Sequence, residues 1–173
     1  MSTYNIIAAS NESTVVAEYV PESTRSDSFQ SEAALEKEFI RLLTAQGYEY
    51  LAIHSEAGLI ENLRRQLELL NGYTFTNDEW KRFITETLAN ANEGILEKSR
   101  TIQTDHVKVL RRDDGTSKNI QLIDKKNIHN NHLQVINQYE ETEGSHDTRY
   151  DVTILVNGLP LVHVELKRRG VAI

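Results

Sequence analysis

Asp151, Glu165 and Lys167 are the residues of this chain whose types and spacing invite chemistry. They stand near the ends of "RYDVTILVNGLPLVHVELKRRG", residues 149–170, which reads as two apolar strands around an Asn157-Gly158 turn. Alternate residues of a strand share a face, so Glu165 and Lys167 point the same way. Two carboxylates that converge repel each other, and desolvation adds to the cost, unless a cation lies between them. Lys167 offsets part of that charge. A Mg²⁺ ion is the other candidate, because it takes hard oxygen ligands from one or two carboxylates and fills its remaining positions with water and phosphate. Such an ion stabilises charge on a phosphodiester and helps to ionise a water, while Lys167 orients that water or neutralises the developing phosphorane. An ordinary surface Glu–Lys–Asp network is the alternative, and the three residues alone do not separate the two.

The hairpin that must position them has a register problem. Val162, Val164 and Leu166 form one apolar face, and Val152, Ile154 and Val156 form the matching face of the other strand. A regular two-residue turn pairs Asp151 with Val164 and sets the apolar stripe of one strand beside the polar stripe of the other. A shift of one residue, through a longer loop or a β-bulge, aligns the stripes and puts Asp151 opposite Glu165. The Asp114-Gly115 hairpin serves as a control: a simple turn there pairs Val109 with Ile120, with Val107 and Val109 facing inward.

Elsewhere, "SEAALEKEFIRLLTAQGYEYL" predicts a helix capped by Ser31 and stopped at Gly47, followed by a short strand in "YEYLAI". "GLIENLRRQLELLNG" repeats the helical period up to Asn71-Gly72. Thr76 and Glu79 form a capping box before a third helix that buries Trp80, Phe83, Ile84 and Leu88. From about residue 104 the period falls to two, and "HLQVINQYE" alternates Leu133, Val135, Asn137 and Tyr139. The fold class expected is α/β or α+β: a mixed, largely antiparallel sheet flanked by helices. Residues 1–30 read as a loosely docked arm with one strand, and residues 31–173 as the main domain.

At 173 residues with a net charge of −7 the chain suits one domain and does not suit nucleic-acid binding over its whole surface. It has no cysteine, hence neither a disulfide framework nor a thiolate metal site. No apolar run reaches a membrane span and no secretory pattern opens the chain, so the cytoplasm is the expected compartment. His129, His132 and His146 lack zinc spacing, and His163 reads as a hydrogen-bonded sheet histidine. Trp80 reads as core, and Arg64, Arg65, Lys81 and Arg82 as solvated helix faces.

Asp151 followed by the hairpin and Glu165-Leu166-Lys167 resembles the PD-(D/E)xK nuclease motif. The longer string "RYDVTILVNGLPLVHVELKRRGVAI", with "LIDKKN" at 122–127, "GILEK" at 94–98 and "NDEWKRF" at 77–83, resembles the N-terminal endonuclease region of the R subunit (HsdR) of type I restriction enzymes, from about residue 28 onward. The resemblance implies a restriction-endonuclease-like core. Asp151 and Glu165 then bind metal, Lys167 is the catalytic lysine, and the Leu166 carbonyl is a further metal contact. A glutamate on the first helix, Glu32 or Glu36, is the remaining candidate near the metal. The implied activity is Mg²⁺-dependent cleavage of double-stranded DNA in a complex with methyltransferase (M) and specificity (S) subunits. The alternative is a truncated product that acts only as an interaction module. No phosphate-loop motif is present, so ATP is expected to bind only in the full-length subunit. The helix that the family places after the catalytic strand, with Gln-x-x-x-Tyr, is absent, and the domain is expected to be incomplete at its C-terminus.

Overall fold

The computed structural model describes residues 3–9, 15–20, 31–88, 100–141 and 148–167, with the backbone alone at 3–9, 15–20, 140–141 and 148–149. The chain divides into two compact units, Met1–Gln30 and Ser31–Ile173. In the first, β1 (Thr3–Ala9) pairs antiparallel with β2 (Val15–Val20). The expectation of one strand is corrected to two, since Thr3–Ala9 and Val15–Val20 satisfy each other's backbone groups.

In the second unit, Ser31 caps α1 (Glu32–Ala45) by accepting the Ala34 N–H at 3.2 Å. The chain turns at Gly47, with φ +96°, into the two-residue β3 (Glu49–Tyr50). Ser55 caps α2 (Glu56–Asn71), which closes on a left-handed Gly72. The Thr76–Glu79 capping box forms as expected and starts α3 (Asn77–Phe83), which continues as a π-helical turn over Ile84–Leu88. The strands β4 (Val107–Arg111) and β5 (Ser117–Gln121) make a separate two-stranded sheet. β6 (Leu133–Glu141), β7 (Thr148–Val156) and β8 (Leu159–Val164) join β3 in a sheet of order β3-β6-β7-β8, parallel only between β3 and β6. This is the mixed, largely antiparallel sheet with flanking helices that the periodicities imply.

The four-stranded sheet is covered on both faces. Leu43 of α1 packs with Val135 and Val152 on one side. Ile136, Tyr139 and Leu155 pack with Leu59 of α2 on the other. The stripe of β7 read as polar is therefore itself buried at Thr153 and Leu155. α2 turns its remaining face, Leu63 and Leu67, to Phe75, Trp80, Phe83, Leu110, Ile120 and Leu122. A polar chain crosses from α2 to the sheet: Asn62 Nδ2 donates to Gln134 Oε1 at 2.9 Å, and Gln134 Nε2 donates to Glu49 Oε2 at 2.8 Å. Gln134 is fully buried, so this pairing is what makes its burial tolerable.

The control hairpin does not behave as expected. Arg111 pairs with Ser117 and Val109 with Asn119, not with Ile120. Leu110 and Ile120 are buried, whereas Val107 and Val109 are exposed. The cause is local: Asp114 Oδ1 accepts from the Thr116 N–H at 2.9 Å, and the Arg112 N–H donates to the Thr116 carbonyl. A side-chain-capped loop over 112–116 replaces the two-residue turn. Two of the basic residues on helices also differ from expectation. Arg64 donates to Glu68, to Asn77 Oδ1 at 2.9 Å and to the Phe75 carbonyl, tying down the loop before α3. Arg82 pairs with Asp113 at 2.6 Å. Arg65 and Lys81 are exposed, and Trp80 is core.

Candidate active site

The hairpin of β7 and β8 carries the candidate residues, and its turn is buried at the opposite end from them. Asn157 (φ +51°) and Gly158 (φ +80°) are both left-handed, as a tight turn between twisted strands requires. Asn157 donates from Nδ2 to the Leu122 carbonyl and to Asn131 Oδ1, and accepts the His132 N–H at 2.7 Å. A Cβ at Gly158 would lie 2.6 Å from Leu63 Cα, so glycine lets the turn meet the backbone of α2.

From this turn Val156 pairs with Leu159 and Leu155 with Pro160, after which the register shifts. Ile154 pairs with Val162 and Val152 with Val164, leaving Leu161 as the extra residue of a β-bulge. The expected correction is therefore present, made by a bulge that keeps the two-residue turn. Val164 and Leu166 now join the cluster of Leu43, Val135 and Val152. Asp151 and Glu165 are the next residues on either strand beyond the Val152–Val164 pair.

At this end the Leu166 N–H donates to Asp151 Oδ2 at 2.7 Å, fixing one carboxylate oxygen of a half-buried acid. Lys167 Nζ lies 2.5 Å from Glu165 Oε1, with both side chains substantially exposed. The hydrogen bond to Glu165, and then that carboxylate's charge, hold the Lys167 ammonium above the usual lysine range; desolvation opposes this, and the charges of Glu32 and Asp151 add to it. Asp151, Glu165, Lys167 and Glu32 thus share one electrostatic neighbourhood.

Glu36 has a different environment. Asn137 Nδ2 donates to its Oε1 and Gln138 Nε2 to its Oε2, both at 2.6 Å. Tyr50 donates to Asn137 Oδ1 at 2.8 Å. Asn137 interrupts the apolar alternation of Leu133, Val135 and Tyr139, and that polar residue is the one sign of this cluster in the sequence. His163 accepts or donates at Thr153 Oγ1 (3.0 Å to Nδ1) and stacks on Tyr150 at 4.0 Å, the sheet histidine that was expected. His146, "GILEK" and the arginines 168 and 169 lie outside the described residues.

Among the described residues no three His, Asp or Glu side chains gather as a cage for a metal. Two carboxylates with no soft donor nonetheless fit Mg²⁺, whose usual sites rely on water and phosphate for the remaining ligands. Among the described residues no helix is long and apolar enough to cross a membrane.

Comparison with known proteins identifies the family of the chain. Residues 29–173 match the family model described as type I restriction enzyme R protein N terminus. The chain is 47% identical over 168 residues to the type I restriction enzyme EcoprrI endonuclease subunit of Escherichia coli, covering 96% of this chain and 53% of that protein. It is 39% identical over 150 residues to the SsaAORF53P endonuclease subunit of Staphylococcus saprophyticus, and 40% identical over 150 residues to the SauMSSORF170P endonuclease subunit of Staphylococcus aureus. Each of these alignments covers 84% of this chain and 16% of the relative. The chain therefore spans about half the length of the first relative and a small part of the others. It belongs to the family of N-terminal regions of type I restriction enzyme R proteins.

Proposed function

We propose that this chain is the DNA-cleaving domain of a type I restriction enzyme and hydrolyses phosphodiester bonds in double-stranded DNA with Mg²⁺. The observation that carries this reading is the bulged register, which brings Asp151 and Glu165-Leu166-Lys167 to one end of the hairpin. Asp151 and Glu165, with the Leu166 carbonyl, are the residues that would hold the ion. When bound, Mg²⁺ supplies charge stabilisation at the phosphate and lowers the pKa of a coordinated water. Asp151 presents its carboxylate in a fixed direction because the Leu166 N–H holds Oδ2. Lys167, whose proton affinity Glu165 raises in the metal-free chain, serves as a cation facing the charge that develops on the phosphate oxygens. In hydrolysis the water oxygen bonds to phosphorus, the bridging P–O bond breaks, and the water's proton passes to solvent as the leaving oxygen is protonated.

The relatives are named endonuclease subunits, which supports a complex in which further subunits, of the methyltransferase and specificity type, direct cleavage. ATP-driven steps then belong to parts of the longer protein beyond this domain. In the assembled enzyme, Asp151→Ala, Glu165→Ala and Lys167→Ala should each lower the rate of cleavage by about 100-fold or more while ATP hydrolysis persists. Cleavage at the parental rate in any two of these variants would overturn the assignment.

A further inference from the structure

We infer that Gln138 is a positioning residue of this site: its left-handed backbone, gripped through Glu36, sets where Asp151 stands. The inference rests on the nuclease reading for its consequence but on separate observations for its geometry. In the β6–β7 ladder Asn137 pairs with Val152 and Tyr139 with Tyr150, while the pair between them, Gln138 with Asp151, is not formed. Gln138 has φ +52°, a conformation that side chains other than glycine, asparagine and aspartate seldom adopt.

Both strands change face at this point. Ile136 and Tyr139, three residues apart, lie in one apolar cluster, as do Leu155 and Tyr150, five apart. Odd spacings put residues on opposite faces of an unbroken strand. Consecutive Asn137 and Gln138 likewise reach the same Glu36 carboxylate on α1, which a regular strand forbids. Without the change of face, Asp151 would continue the row of Thr153 and Leu155 into the apolar cluster under α2. With it, Asp151 accepts from the Leu166 backbone and contributes, with Glu32 of α1, to the field at Lys167. Two charge-assisted hydrogen bonds to Glu36 offset what the strained backbone costs. The carboxylate of Glu36 is in this view a clamp on β6, with both oxygens already engaged.

The test reads the Leu166 amide in the metal-free chain by NMR, as chemical shift and hydrogen-exchange protection. Gln138→Val resists positive φ, and Glu36→Gln replaces one acceptor oxygen by an NH₂ group. Each should reduce Leu166 protection by about tenfold, the loss expected for one charge-assisted hydrogen bond. Gln138→Gly, free to adopt the same backbone, should keep it within about threefold. In the assembled enzyme Gln138→Val should lower kcat for cleavage and leave KM for DNA unchanged, with Gln138→Gly restoring most of the rate. If Gln138→Val fails to fold, the isosteric Glu36→Gln decides. An undisturbed Leu166 amide in Glu36→Gln overturns the inference, and so does a glycine variant as damaged as the valine one. Because the amide readout needs neither metal nor cleavage, coupling in the chain together with cleavage at the parental rate by assembled Asp151→Ala and Lys167→Ala enzymes would sink the nuclease reading alone.

Discussion

At Lys167 the competing influences decide which role a lysine beside acids can take. The hydrogen bond to Glu165 and its charge raise the proton affinity, burial lowers it, and the net direction is upward from 10.5. A raised folded value means that the pair's contribution to stability is complete below the unfolded value and disappears as pH rises through the folded one. That contribution is small, because both groups face solvent. The Lys167 side-chain resonances should therefore titrate with a midpoint above 10.5, and a midpoint near neutrality would restore a proton-accepting lysine. Glu79 works in the opposite direction. It is 2% exposed; burial alone would raise its pKa, but the Thr76 N–H, the Tyr73 hydroxyl and the Asp113 N–H more than reverse that. Its stabilising contribution is present above the unfolded value of 4.5 and fades as pH falls through the lower folded one. Glu79→Ala, which strands three donors, should cost about 3 kcal/mol in denaturant unfolding at pH 7, and markedly less in acid. Glu165 and Lys167 were legible in the sequence because strand alternation puts residues two apart on one side, and Asp151 because aligning the apolar stripes shifts the register by one residue. The partners of Glu36 were not, since Asn137 lies 101 residues away and its neighbour depends on a positive φ that no residue type at 138 announces.

Among the elements, the bulged hairpin could be read from sequence because burial of Val152 and Val164 admits only one register once both must face Leu43. The hairpin of β4 and β5 could not, because its register follows the Asp114 side chain and not its apolar residues. Apolar patterning specifies a register only where both strands are buried; at a half-exposed two-stranded sheet the loop decides. The same contrast yields a prediction about Leu161. It is the unpaired residue of the bulge and is 39% exposed. Deleting it should straighten β8 and leave the residues now numbered 152 and 164 facing each other, as read from cross-strand Hα–Hα NOEs. A ladder that slips so that Val152 faces a different residue would show that the bulge itself holds the register. The turn tolerates less. Gly158→Ala places a methyl group against the Leu63 backbone at positive φ and should destabilise the chain by about 3 kcal/mol or more, measured by thermal or urea unfolding.

For the whole molecule, charge and completeness set the expected behaviour. A net charge of −7 repels the phosphate backbone, and the chain spans about half of its Escherichia coli relative. Purified residues 1–173 with Mg²⁺ at low salt should nick supercoiled plasmid about 100-fold more slowly than an assembled enzyme, if at all, because little holds duplex DNA at the site. Robust nicking that a Lys167→Ala control lacks would show that this length suffices. The placement of the buried turn has a mechanical consequence for the molecule. The hairpin is fastened at Asn157-Gly158 against α2, and its working end at Asp151 lies six residues back along β7, about 20 Å away at ~3.3 Å per residue. It is a lever with its fulcrum in the core: a tilt of about 5° at the fulcrum swings the tip by roughly 1.7 Å, enough displacement to cost a catalytic site about two orders of magnitude. Warming should therefore spoil the alignment of Asp151 with Leu166 before it melts the sheet. The Leu166 amide should lose exchange protection several degrees below the cooperative unfolding that the Val152 amide reports.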